Sequence, residues 1–380
     1  MIGLRLSLFY TTYFGMVGIM LPFFPVWLLS KGISAAEIGL ILGSATFARM
    51  IFNPIIGYIA DSHGARQPII FILAVLSSFC FSFYFIVDGF WIIILVTIIF
   101  NGFWSAMQPI AESLTMRSLK RAKIDYGRVR LWGSIAFIFA AIIAGKVIGV
   151  HTDNSILVLI FLLINLMIAV TLFLPTTKTQ ISTIRRYPIS QLFHNYGLII
   201  VIFSAALIQS SHALYYSFGT IHWKTIGFST TAIGLLWAEG VIAEIILFSF
   251  GAYILRRMGG INLIFLGGFL GMIRWFCMAY FENFQIILFT QLLHAFSFGA
   301  THLGIIDYLN ETVEEGLSVT ALSLYSAIGM GLLMGIMVSV SGGLYDQFGS
   351  KAYLVCALTS IIGAVLIIIS GFWRKGSNIK

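Results

Sequence analysis

Apolar runs of about 20 residues recur along the whole chain, and this spacing constrains the fold more than any other feature. A helix of that length crosses about 30 Å of hydrocarbon. The chain is 59% hydrophobic and 9% charged, whereas soluble domains are about 45–50% apolar and about 25% charged. We therefore predict an all-α membrane protein with twelve transmembrane helices, near residues 4–29, 35–60, 67–87, 90–113, 130–150, 155–174, 194–221, 230–254, 261–281, 284–308, 319–345 and 352–373.

A polar, basic break divides the twelve runs evenly. It reads PTTKTQISTIRRYPIS, residues 175–190, and six runs lie on each side of it. Such a division suggests two similar helical bundles joined in the middle. We predict an N-terminal six-helix bundle over 1–174, a cytoplasmic linker over 175–192 and a C-terminal six-helix bundle over 193–380.

The lysines and arginines indicate the orientation of the chain. Most of the 22 fall in segments that share one side of the membrane when both termini are placed in the cytoplasm. The net charge of +8 is therefore topological and argues against nucleic-acid binding. The first apolar run has no small-residue cleavage site after it, so we expect a retained helix. We expect a monomer in a bacterial inner membrane, embedded in the lipid bilayer and handling a small molecule.

Sequence motifs of enzymes are missing. The chain contains no HExxH, no GxSxG and no P-loop. Cys80, Cys277 and Cys356 each stand alone inside a predicted helix, as small apolar packing residues do. We expect neither an enzymatic activity nor a metal or cofactor.

The loop after the second run contains Gly57-x-x-x-Asp61-x-x-Gly64-x-Arg66. Asp61 can cap or charge-pair near the start of the next helix, and Gly64 permits a tight turn. The pattern resembles the loop signature of the major facilitator superfamily, which implies a cytoplasmic gate motif made of these four residues. A second copy over 342–351 falls on the outer side and is not expected to be equivalent.

The stretch IDYGRVRLWGSIAF, residues 124–137, places Arg130 at the mouth of an apolar helix. An arginine there should face an anion or a polar cavity. Glu112 ends the preceding run, so a helical hairpin brings the two together; a purely structural hairpin pair is the alternative. The region resembles the proton-coupled sugar symporters typified by lactose permease, in which a Glu and an Arg at this separation bind substrate. Phe137 stands where that pattern has its ring-stacking tryptophan.

The chain resembles the phenylpropionate permease branch more closely still. The stretches that carry this resemblance lie in both halves: DYGRVRLWGSIAF, HALYYSFGTIHW, LLWAEGVIAEIILF, MIRW and LLHAFSFGATHL.

Ionisable residues inside the second half are expected to be paired and functional. The resemblance to the sugar symporters implies that Glu244, Arg274 and His294 couple a proton, although Glu244 requires a shift of a few residues. Glu239 lies five residues from Glu244, about 140° around a helix, so we expect only Glu244 to face the site. A buried packing pair of Arg274 and Glu244 remains the structural alternative.

Other positions of the second half depart from the sugar-symporter pattern. His212 and Tyr215 replace the acids of span 7, and Ser297 replaces a carboxylate that follows the histidine. A galactoside substrate and that proton carrier are therefore not expected. His212 is instead a candidate substrate-binding residue, together with Glu112, Arg130 and Phe137.

These observations predict a secondary active transporter that works by alternating access. The predicted reaction is proton-coupled symport of a small organic solute into the cell, most readily an aromatic carboxylic acid such as phenylpropionate, with the proton as coupling ion. A sugar or nucleoside symporter, a drug exporter and a non-transporting membrane sensor are the alternatives.

Overall fold

The computed structural model describes residues 2–63, 66–122, 124–150, 154–176, 192, 195–314 and 317–377, and within them it is helical without a strand. The first part holds six helices: α1 (Ile2–Ser30), α2 (Ala35–His63), α3 (Arg66–Ser82), α4 (Phe90–Ala122), α5 (Tyr126–Val150) and α6 (Ser155–Leu172). Ten further helices follow: α7 (Tyr196–Ser210), α8 (Ala213–Thr225), α9 (Thr230–Ser249), α10 (Gly251–Met258), α11 (Gly260–Tyr280), α12 (Phe284–Leu292), α13 (Thr301–Thr312), α14 (Ser318–Ser326), α15 (Met334–Phe348) and α16 (Tyr353–Ser377).

Eleven helical runs in the described residues are long and apolar enough to cross a membrane. The last of them, Thr320–Gly371, has 52 residues, more than twice the length that one crossing requires. The run turns at Gly349, which follows the last residue of α15. Its φ of 53° is a left-handed value that glycine adopts readily. This run therefore holds two spans, and the prediction of an all-α protein with twelve apolar helices is confirmed.

Three of the spans in the described residues are composite. Tyr196–Thr225 joins α7 to α8, and Phe284–Thr312 joins α12 to α13 through a π-helical segment, Ala295–Ala300. A second π-helical segment, Ala327–Leu333, joins α14 to α15. A π turn holds an extra residue and changes which side chains share a face, and such turns are frequent at functional sites.

The chain divides into two compact units. The first comprises Met1–Thr183 and Ser217–Ala238, and the second comprises Ile184–Tyr216 and Glu239–Lys380. In the first unit, α1 packs against α5 and α6, and α2 packs against α4. In the second, α11 and α7 both pack against α16, and α11 also packs against the π segment Ala295–Ala300.

Small residues set the closest helix crossing in the first unit. A Cβ atom on Gly145 of α5 would collide with the carbonyl oxygen of Thr230, and one on Gly234 of α9 would collide with that of Ala141. The backbones of α5 and α9 therefore touch at two reciprocal points. A side chain at either glycine would force the helices apart.

We predict that Gly234→Leu destabilises the protein, because overpacking a tight contact costs about 1–3 kcal/mol. Thermal unfolding in detergent should show a lower Tm. The matched control is Gly343→Leu, since a Cβ there meets no atom within 4 Å, and its Tm should stay near that of the parent protein. An equal loss in both variants would contradict the proposed contact.

Candidate functional site

Arg130 lies at the start of α5 and packs on aromatic rings of α1. Its guanidinium carbon is 3.8 Å from the centroid of the Phe14 ring and 5.6 Å from that of Tyr10. The side chain is half-buried. A Cβ on Gly133 would crowd both Phe14 and the Arg130 Nη1 atom, so the glycine one turn later makes room for this stacked pair. Arg130 is thereby held flat against Phe14 while its edge keeps donors for an anion.

Glu112 reaches the same neighbourhood without touching Arg130. It is half-buried on α4, and its Oε1 accepts a hydrogen bond from Gln108 Nε2 at 3.3 Å. Among the described residues no ion pair joins Glu112 to Arg130. Both groups interact electrostatically with Tyr10, Tyr13 and Tyr126. The hairpin thus brings the acid and the base around shared tyrosines but leaves them apart.

Phe137 lies further along α5, two turns from Arg130. The side chain is 7% exposed. Its backbone presses on α1, because a Cβ on Gly18 would collide with the Phe137 carbonyl oxygen. Helix α5 is therefore fixed against α1 at the level of Phe137.

Arg49 on α2 belongs to this neighbourhood, although the sequence prediction did not include it. Its Nη2 donates to Asn101 Oδ1 at 3.3 Å, and it interacts electrostatically with Tyr13. The Tyr13 ring stacks on Trp104 with centroids 4.7 Å apart and planes 8° apart. We name Tyr13 and the three charged residues around it, Arg49, Glu112 and Arg130, the Tyr13 cluster. A charge in the middle of an apolar run was the signal that could have identified Arg49.

Arg274 is the centre of a second cluster, in the second unit, and is fully buried. Its guanidinium carbon lies 4.5 Å from the Tyr215 ring centroid and 4.4 Å from that of Trp275. Its polar contacts go to three uncharged acceptors: Nη1 to His294 Nδ1 at 3.0 Å, Nη1 to Ser297 Oγ at 3.3 Å, and Nη2 to Gln291 Oε1 at 3.2 Å. We call these four polar residues the Arg274 cluster.

The contact to Arg274 fixes the tautomer of His294. A guanidinium only donates, so His294 Nδ1 accepts and Nε2 carries the hydrogen. Nε2 lies 3.8 Å from Glu244 Oε2, which is longer than a hydrogen bond and within reach of one after a small movement. The structure thus brings Glu244, His294 and Arg274 together in that order. Gln291 and Ser297 belong to the same cluster, and sequence reasoning did not identify them as partners.

His212 joins the cluster through Ser297. Its Nδ1 lies 3.1 Å from the carbonyl oxygen of Gln209 and so donates, and its Nε2 lies 3.0 Å from Ser297 Oγ. Since Nδ1 carries the hydrogen of the neutral ring, Nε2 accepts, and the Ser297 hydroxyl donates to it while accepting from Arg274. His212 is completely buried, with both ring nitrogens engaged.

Both acids of α9 approach α8. Glu244 interacts electrostatically with Tyr216, and Glu239 with the adjacent Tyr215. The Oε2 atom of Glu239 is buried without a hydrogen-bond partner in the described part of the chain. The two acids of α9 therefore act on different tyrosines of α8.

Backbone geometry explains how the Arg274 cluster forms. The π segment Ala295–Ala300 starts directly after His294 and contains Ser297, so both residues face α11. A Cβ on Gly271, one turn before Arg274, would crowd Ser297 and the hydroxyl of Ser360. The small residue at 271 therefore lets α11 approach the π segment closely enough for Arg274 to reach Ser297 on it and His294 directly before it.

The motif expected in a loop begins inside α2, with Gly57 and Asp61 in its last turns, and Arg66 opens α3. Arg66 Nη2 lies 2.7 Å from Asp61 Oδ1, with Arg66 3% exposed and Asp61 73% exposed. Gly64 lies outside the described residues. A Cβ on Gly57 would meet no atom within 4 Å, so packing does not require that glycine. In the second copy, Lys351 sits over the Tyr280 ring.

Comparisons with known proteins agree with this architecture. Residues 3–355 match the model of the MFS_1 like family. The chain is 32% identical over 364 residues to a probable 3-phenylpropionic acid transporter of Escherichia coli, covering 94% of each chain. It is 24% identical to a maltose permease of Geobacillus stearothermophilus, covering 95% of this chain and 93% of the permease. The crystal structure of the nucleoside transporter NupG superposes with a TM-score of 0.85 at 16% identity, covering 97% and 98%.

We predict that Ser297→Ala destabilises the second unit, since it removes an acceptor from Arg274 and a donor from His212 in a buried site. Each buried group left unsatisfied costs about 1–3 kcal/mol, so Tm should fall clearly. The control is Ser204→Ala, which is equally buried and bonds only to the Ile200 carbonyl of its own helix. Comparable Tm values for the two variants would contradict the network.

Proposed function

This chain belongs to the MFS_1 like family of the major facilitator superfamily, and from that premise we propose that it couples proton entry to uptake of a small aromatic carboxylic acid. The relative that shares 32% of its residues carries the name of a 3-phenylpropionic acid transporter. The observation that carries the proposal is the Glu244–His294–Arg274 chain. An alternation of access between two bundles would complete the cycle.

Arg130 supports the choice of substrate class. A guanidinium holds a carboxylate through two parallel hydrogen bonds, which an ammonium cannot do. Its stacking on Phe14 fixes the plane of that fork. Glu112 lies near enough to the same tyrosines to steer the guanidinium without neutralising it directly. We keep Phe137, two turns along α5 from Arg130, as a candidate for the aromatic wall that holds the substrate ring, and we assign His212 an indirect role through Ser297.

The Arg274 cluster supports proton coupling. A buried cation is costly unless an anion or several hydrogen bonds compensate it. Here three uncharged acceptors hold Arg274. The carboxylate of Glu244 lies beside His294, which is one of these acceptors. Protonation of Glu244 would change the net charge of this buried group by one. A transporter needs such a change if proton binding is to alter the balance between its conformations.

The proposed setting is a bacterial inner membrane with both termini in the cytoplasm. On that side, the Asp61–Arg66 pair would connect α2 to α3 and act as a cytoplasmic gate contact. We propose a monomer as the working unit.

Uptake into proteoliposomes tests the function directly. With an acidic exterior, labelled 3-phenylpropionate should accumulate above its external concentration, and a protonophore should abolish the accumulation. Labelled lactose and labelled uridine test the alternative substrates in the same vesicles. Accumulation of either, with no uptake of 3-phenylpropionate, would replace the aromatic acid as the substrate class. Net outward movement would indicate an exporter, and absence of any flux would favour a sensor.

We predict that Glu244→Gln abolishes accumulation against a gradient while sparing exchange of substrate across the membrane, because the variant cannot lose a proton. Uphill uptake and counterflow should be measured in the same vesicles. Glu282→Gln is the control, since Glu282 is an exposed acid outside the helices. Full uphill uptake by the Glu244 variant would remove this residue from the proton step.

A further inference from the structure

Arg49 occupies the midpoint of a membrane-spanning helix. Helix α2 runs from Ala35 to His63, so Arg49 lies 14 residues from each end, or about 21 Å at 1.5 Å per residue. That distance is much longer than an arginine side chain, and Arg49 therefore cannot reach either membrane surface. A charge held at this depth needs a partner or a polar cavity.

The partner of Arg49 is uncharged. Asn101 is 1% exposed, and its Nδ2 donates to the Thr97 carbonyl at 3.0 Å. This bond orients the amide so that Oδ1 accepts from Arg49. No carboxylate lies within ion-pair distance of Arg49 in the part of the chain that the structure describes.

The guanidinium of Arg49 is directed into its own unit. Its contacts, Asn101 on α4 and Tyr13 on α1, are both almost completely buried, so it does not point to lipid. Arg49 as a whole residue keeps exposed surface, although its guanidinium lies among buried groups. A cation inside a bundle that donates to a single amide oxygen is suited to an anionic ligand.

Charge balance identifies the ligand class. The Tyr13 cluster contains two cations, Arg49 and Arg130, and one anion, Glu112, which gives a net charge of +1. In a medium of low dielectric constant an uncompensated charge is costly, and one bound monoanion would neutralise the cluster. A neutral sugar or nucleoside would leave the charge in place.

We propose that Arg49 is a second substrate-binding residue, which acts with Arg130 to make the site selective for monoanionic carboxylates. This inference rests on the proposed function and names the group that selects the substrate's charge. Asn101 is the positioning residue that holds the Arg49 guanidinium in place. Arg49 would hold the carboxylate from α2, and Arg130 would add its positive charge from α5, because both cations act on Tyr13.

Binding measurements test the inference with two probes of matched shape, 3-phenylpropionate and the neutral 3-phenylpropionamide, on purified transporter at pH 7. Arg49→Gln should weaken carboxylate binding at least tenfold and leave amide binding within about twofold of the parent protein. Asn101→Asp should also weaken the carboxylate tenfold, because its new anion competes for Arg49. Asn101→Ala keeps the Arg49 cation, so its carboxylate affinity should fall less than that of Arg49→Gln or Asn101→Asp. Carboxylate affinity that is unchanged in Arg49→Gln overturns the proposal.

A second readout requires no ligand. Asn101→Asp should raise the Tm of the empty protein by about 2 °C or more, because it pairs a charge that has no counter-ion. If Arg49 is already compensated, the added acid is a buried unpaired charge and lowers Tm, which overturns the inference. Asn154→Asp, at the N-terminal cap of α6, is the control substitution and should leave both readouts unchanged.

These two readouts separate the proposals. If the parent protein binds neither probe, the aromatic-acid substrate is wrong, and the Tm of Asn101→Asp alone then decides whether Arg49 is an anion site. If the parent protein accumulates 3-phenylpropionate but Arg49→Gln does so with unchanged affinity, only the inference about Arg49 fails.

Discussion

The positive charge of Arg274, held with no exposure, is the constraint on which the second unit depends. The guanidinium cannot be made neutral in proteins and cannot accept hydrogen bonds, so every group around it must present a lone pair. His294, Ser297 and Gln291 do so, and the first two then have fixed hydrogen positions. The tautomer of His294 in turn points a hydrogen toward Glu244. One buried cation thus orders a chain of side chains from three helical segments.

The cations of the two clusters differ in how far they are exposed. Arg274 lies between Tyr215 and Trp275 and has no exposure, a setting that admits a proton through Glu244 but not an organic molecule. Arg49 is exposed and Arg130 half-buried. An organic anion needs accessible donors, whereas a proton needs a carboxylate with changeable surroundings. Under the proposed function, the first unit would hold the solute and the second unit the coupling ion.

The sequence predicts the helices well because hydrophobic length is a strong and local signal. The predicted spans near 35–60 and 261–281 correspond to α2 and α11. The neutral partners of the charges were not predictable in the same way. No sequence spacing assigns Gln291 or Asn101 to an arginine on another helix.

Helix geometry and turns with altered periodicity explain further differences between the sequence prediction and the structure. The 3.6-residue period places Glu239 and Glu244 about 140° apart on α9, and the two acids act on different tyrosines of α8. The π segment after His294 is invisible in the hydrophobic pattern, since it adds one residue per turn within a uniformly apolar stretch. The described residues also lack the direct contact expected between Glu112 and Arg130, for a related reason. Hairpin proximity brings two helices together, but the ring of Phe14 determines where the guanidinium lies.

Ser297 marks the point at which this chain departs from the sugar symporters that it resembles. A carboxylate there would sit on the same helix as His294 and pair with Arg274 directly. With a hydroxyl instead, the nearest acid that can serve is Glu244, which is carried by another helix. A Cβ on Gly240 of α9 would meet His294, and one on Gly299 of the π segment would meet Glu244, so the two glycines leave room for these side chains to lie side by side. A displacement of less than 1 Å along that contact would turn the 3.8 Å separation into a hydrogen bond. Proton binding in this chain would then be sensed by the packing of α9 on the π segment, and not within one helix.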